Sequence, residues 1–182
     1  MVLWNLDHMI LHWFNNSGKL HKFGYLISYE FDTYTTKSLD SIYEKCTKFY
    51  DAWFNGYEIA TQKWHFYNFP PGCRLATKRW LKRRMLPTAL YRSLFAGALI
   101  SRRCLDWLKK LEIDFSGALH CQNEMRPPTM LTALGFRVGR LDFPFIRYRP
   151  EWPERNNQWR SRHLSSCQEA SARNEDYHIL TR

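Results

Sequence analysis

Residues 74–110, RLATKRWLKRRMLPTALYRSLFAGALISRRCLDWLKK, carry eleven Lys/Arg against one acid, Asp106. Their net charge of +10 equals that of the whole 182-residue chain, so everything outside the stretch sums to zero. Lysine and arginine are almost never buried without a partner, so any fold must leave this charge facing solvent or an anionic surface. The apolar spacing within the stretch predicts two linked helices. In residues 75–85, Leu75, Trp80, Leu81 and Met85 fall on or near one face. Leu86-Pro87 then restarts the helix, since proline suits a first turn and disfavours helix at the residue before it. From 88 to 110, Leu90, Leu94, Ala98, Leu105 and Leu108 follow a helical stripe, widened by Tyr91, Phe95 and Ala96. Lys109 and Lys110 close it, where the helix dipole favours cations.

The chain before this stretch is nearly neutral. Residues 1–14 place Leu3, Leu6, Ile10 and Trp13 at helical spacing, stopped by Asn15-Asn16-Ser17-Gly18. Residues 24–36 alternate Tyr25, Ile27, Tyr29 and Phe31 with polar neighbours, the period of a strand. The clearest helix is 38–54, with Leu39, Ile42, Tyr43, Cys46, Phe49, Tyr50 and Trp53 in one stripe. Ser38 supplies its cap and Asn55-Gly56 its stop. Residues 57–69 fit helix or strand equally.

Beyond residue 110 the pattern is less regular. Pro127-Pro128-Thr129 opens a short helix through Leu134, and 136–150 (FRVGRLDFPFIRYRP) alternates arginine with apolar residues. Its glycine and prolines point to extended chain or an edge strand. Residues 154–163 have helical character, and 165–182 form a polar tail. Residues 1–73 contain six Lys and no Arg, whereas 111–182 contain ten Arg and no Lys. The expected fold is mainly α with minor β: a small helical domain followed by an extended, irregular C-terminal region rich in Arg, Pro and aromatics. It divides into an N-terminal helix–strand–helix section (1–73), a central basic helical pair (74–125) and a C-terminal arm (126–182).

The run Arg74, Lys78, Arg79, Trp80, Lys82, Arg83 and Arg84 interleaves cations with an aromatic ring, a pattern suited to phosphates and stacked bases. A second patch, Arg137, Arg140, Arg147, Tyr148 and Arg149, extends it. The same run also suits an acidic protein or anionic lipid head groups. His163 and Cys167, four apart, form a half-site for a metal without a second half. No nucleophile elbow or phosphate-cradling glycine loop is present, and no catalytic residue, metal or cofactor is assigned. Five irregularly spaced cysteines do not make a disulfide framework and point to a reducing compartment. No stretch reaches the roughly 18 apolar residues of a membrane span, and residues 1–14 lack the features of a cleavable signal.

Leu90-Tyr91-Arg92, early in the second predicted basic helix and followed by Phe95, resembles the signature of the mitochondrial LYR-motif proteins. That resemblance implies a small basic three-helix protein, an accessory subunit or assembly factor that engages acyl carrier protein.

The expected function is a non-catalytic accessory subunit of a large assembly, peripheral to a membrane, with a mitochondrial respiratory-chain or ATP-synthase complex as the concrete case. Its partners would be other subunits and anionic lipid head groups, with no small-molecule substrate evident. The alternatives are an RNA-binding structural protein of a ribosome and a small metal-dependent enzyme.

Overall fold

A computed structural model describes residues 6–29, 33–34, 38–64, 67, 72–110, 124–141, 147–148 and 177–178. Its centre is a four-stranded mixed sheet in the order β1-β4-β3-β5, formed by β1 (Tyr25–Ser28), β3 (Ala52–Ile59), β4 (Tyr91–Ser101) and β5 (Val138–Leu141). β4 runs antiparallel to both its neighbours, and β5 adds in parallel on the far side of β3. Short strands β2 (Thr33–Tyr34), β6 (Arg147–Tyr148) and β7 (Tyr177–His178) pair in a separate small sheet. The fold is therefore mixed α/β, and the expectation of a mainly helical protein is wrong.

The error lies mostly in β4. Its apolar run, Ser93–Ser101, satisfies a helical stripe, but a short continuous apolar run is equally the mark of a strand buried on both faces. Packing decides in favour of the strand. Ala98 and Ile100 face one cluster, with Ala52 and Phe54 of β3, while Leu99 faces the opposite one. Helices α1 (Leu6–Asn16), α4 (Arg102–Lys110) and α5 (Arg126–Ala133) cover the first face, and α2 (Leu39–Phe49) covers the second. Only residues 102–110 of the second predicted basic helix are helical.

Leu90-Tyr91-Arg92 accordingly enters a central strand, where Tyr91 pairs with Ile59 and Arg92 with Glu58. A three-helix protein with this tripeptide on a helix is not what the chain forms. The helix predicted over 38–54 also ends early, at Phe49, and Trp53, Phe54 and Gly56 belong to β3. Its start is as expected: the Ser38 hydroxyl accepts the Ser41 N–H at 3.3 Å. The single strand expected over 24–36 is instead two, β1 in the main sheet and β2 in the small one, whereas proline in the first turn of α5 is as expected. Residues 154–163 lie outside the described residues, as does 165–182 apart from β7.

β4 bends where Gly97 adopts a φ of 75°, and its register against β3 shifts between Trp53 and Asn55. A bulge of this kind re-aims a strand. Here it lets the first half of β4 pair with the end of β3 while the second half also pairs with β1. The Tyr43 hydroxyl of α2 donates to the Gly97 carbonyl at 2.8 Å and holds the bend from the second face.

Asp51, buried at the start of β3, ties three segments together. Its carboxylate accepts the Arg137 backbone N–H at 3.0 Å and lies 3.4 Å from the Arg103 guanidinium of α4 and 3.5 Å from that of Arg137. Both guanidinium groups are largely exposed, so most of the stabilisation comes from the buried N–H. Asp51→Ala is expected to lose about 1–2 kcal/mol of stability, measured by urea denaturation. A loss below about 0.5 kcal/mol would mean that the junction is held by backbone pairing alone.

Candidate functional site

α3 (Cys73–Arg83) lies in the connection between β3 and β4, so it packs at one end of the sheet. Cys73, Thr77 and Leu81, four residues apart, turn inward. Cys73 and Leu81 join Ala60 and Leu90, the residues that flank the two strands, together with Met125 and Ala133. Thr77 satisfies its hydroxyl locally by donating to the Cys73 carbonyl at 2.9 Å. With that stripe buried, Leu75, Arg79, Lys82 and Arg83 lie exposed on the opposite face, and Arg74 and Lys78 are half-buried at its margins.

Among the described residues the charge on this face is uncompensated. No carboxylate among the described residues pairs with Arg74, Lys78, Arg79, Lys82, Arg83 or Arg84. Every other arginine whose side chain is described does have one. Arg92 and Arg140 meet Glu58, Arg102 meets Asp106, Arg103 and Arg137 meet Asp51, and Arg126 meets Asp7. Two of the six cations instead sit over aromatic rings: Arg84 lies 4.0 Å from the centre of Trp80, and Arg74 lies 5.1 Å from Tyr67. Trp80 is therefore roofed by Arg84 on one side and packed against two apolar clusters below. It is a support for the face rather than an open platform for a base.

The first sequence-derived patch is thus brought together on one helix and its cap. The second is not. Arg137 sits beside Asp51 at the end of β3 away from α3, and Arg140 is held by Glu58 at 3.7 Å. Arg147 and Tyr148 are in β6, their side chains outside the described residues, and Arg149 lies outside them altogether.

Two residues of the face were misassigned by the helical stripe. Leu75 and Met85 were expected on the apolar side, yet they are 50% and 95% exposed. The i, i+4 series Cys73–Thr77–Leu81 was the signal that could have found the true buried side, but a cysteine and a threonine weigh little in a hydrophobicity pattern.

The described thiols do not resemble nucleophiles. Burial pushes the Cys104 thiol up to about 12 and the Cys46 thiol up to about 11, away from the thiolate that reactive cysteines need. At neutral pH both should resist iodoacetamide in the folded protein and label fully in urea. Peptide mass spectrometry reads each site separately, and rapid native labelling of Cys104 would contradict its burial. Among the described residues no three His, Cys, Asp or Glu side chains gather to hold a metal ion, and His163 and Cys167 lie outside them. Nor is any described helix long and apolar enough to cross a membrane. Compared with protein-family models, curated proteins and solved structures, the chain matches none.

Proposed function

We propose that this protein is a non-catalytic accessory component of a larger assembly, docking through the outer face of α3 onto an anionic surface. The observation that carries the reading is the contrast in pairing. Arginines elsewhere in the described structure are matched to carboxylates, while six cations on α3 and its cap are not. Like charges three or four apart on a helix destabilise it by about 0.2–0.5 kcal/mol per pair. Arg74–Lys78, Lys78–Lys82, Arg79–Lys82 and Arg79–Arg83 all have that spacing. An opposing anionic surface would relieve this repulsion, which favours the bound state.

The mitochondrial respiratory-chain setting rests on basic charge, aromatic richness and the Leu90-Tyr91-Arg92 tripeptide. With that tripeptide in a strand, composition alone speaks for the organelle, and the docking reading stands independently of it. A ribosomal role would use the same cations, but the stacking ring it also called for is covered by Arg84.

The test is gradient sedimentation from gently lysed cells, comparing the wild type with the combined variant Lys78→Gln, Arg79→Gln, Lys82→Gln, Arg83→Gln. The wild type is expected in a large particle and the variant near its monomer mass, with unchanged circular dichroism. A variant that stays with the particle, or a wild type that runs free, would refute the reading.

A further inference from the structure

We infer that the surface met by α3 is an anionic lipid bilayer, with Met85 and Leu75 as apolar anchors set among the cations. This rests on the docking reading above and names its partner.

The end of α3 carries the argument. The Leu86 N–H donates to the Leu81 carbonyl and the Met85 N–H to the Lys82 carbonyl, both at 3.0 Å. Leu86 packs in the same cluster as Leu81. This is the Schellman arrangement, which places its next-to-last residue in the left-handed region and usually uses glycine there. Here the residue is Met85, at φ 52°, and 95% of it is exposed. A flexible apolar side chain is thus held in a disfavoured backbone conformation with almost no contact to its own fold. Neither local geometry nor core packing gives a reason for it. Leu75, half exposed in the first part of the same helix, is a second apolar side chain beside the basic face.

A phosphate backbone would engage the cations and leave both apolar groups unused. A bilayer interface uses both: head-group phosphates meet lysine and arginine, while apolar side chains enter the boundary with the acyl chains. The one aromatic ring of α3 points the same way, because Trp80 is roofed by Arg84 and offers no open surface for a base. The apolar side of α3 is committed to the core, so the helix would lie on the surface with two side chains dipping in.

Flotation of the purified full-length protein with phosphatidylcholine vesicles, with and without phosphatidylserine, tests this. Binding is expected only with phosphatidylserine and should weaken as salt rises. The four-site glutamine variant is expected to lose roughly 100- to 1,000-fold in vesicle affinity. Met85→Gly should bind about tenfold more weakly and yet melt at a higher temperature, because glycine relieves the left-handed conformation. Leu75→Gln should also bind several-fold more weakly, without any gain in melting temperature. Opposite shifts in binding and stability for Met85→Gly are not expected of a purely structural residue. Undiminished vesicle binding by Met85→Gly and Leu75→Gln would overturn the inference. So would binding to a short RNA duplex with none to anionic vesicles, although α3 would then remain the docking face. Sedimentation of the glutamine variant with the native particle would instead remove the docking reading itself.

Discussion

Arg126→Ala is expected to lose about 3–5 kcal/mol of stability, because it leaves a carboxylate buried and unpaired. Arg126 opens α5 with 1% of its surface exposed, and Asp7 lies in the first turn of α1, also buried. The two meet in a bidentate pair, Nε to Oδ2 and Nη2 to Oδ1, each 2.6 Å. Such fork-to-fork pairs are among the stronger hydrogen-bonded contacts, and their geometry fixes both partners. The pair joins segments 119 residues apart in sequence, so it settles how the first helix seats against the last one described. A cavity of about 20 Å³ lies beside it, lined chiefly by apolar side chains such as Ile10, Leu11, Ile100 and Met130. Truncating the arginine would enlarge that void and add a cavity penalty.

The double variant Asp7→Leu, Arg126→Met separates the two contributions. It removes both charges and refills the space, and buried ion pairs replaced in this way are often neutral in stability. Recovery of most of the loss, read as a coupling energy in a double-mutant cycle by urea denaturation, is the expected outcome. A single variant that loses less than about 1 kcal/mol would show that the pair is not a determinant of how α1 seats.

What the sequence made legible follows from the range over which each signal acts. The start of α2 was readable because Ser38 caps three residues away, and the prolines of α5 act within its first turn. The basic face of α3 was readable in part, since a run of Lys and Arg must be exposed somewhere. β4 was not, because Ser93–Ser101 carries no local mark that separates a strand covered on both faces from a buried helix. That choice depends on Phe54, Leu141 and Tyr43 arriving from other segments. The pairing of Arg137 with Asp51 and of Arg140 with Glu58 is equally non-local, so the second basic patch read as one surface when its cations were already matched. Met85 was hidden for a different reason: methionine is counted as apolar wherever it stands, and only the backbone shows that it caps α3.

Gly139→Ala is expected to lose about 3 kcal/mol, the second large effect. Gly139 is a buried position in β5, paired in parallel register with Trp53 of β3. The Trp53 indole crosses the space that a Cβ at 139 would occupy, with Nε1 and Cδ1 in direct collision. Backbone freedom is not the issue; the strand needs a residue without a side chain so that the ring can lie against it. Alanine would force the indole off β5, and with it the contact to Tyr50, whose ring centre lies 5.2 Å away, and the packing of the cluster under α2. For a domain of this size, 3 kcal/mol corresponds to a fall in melting temperature of roughly 6–12 °C. Adding Trp53→Leu to the alanine variant should restore part of the loss, because the smaller side chain no longer fills the position. If Gly139→Ala melts within about 2 °C of the wild type, the ring has room to move, and β5 is not held against β3 by this contact.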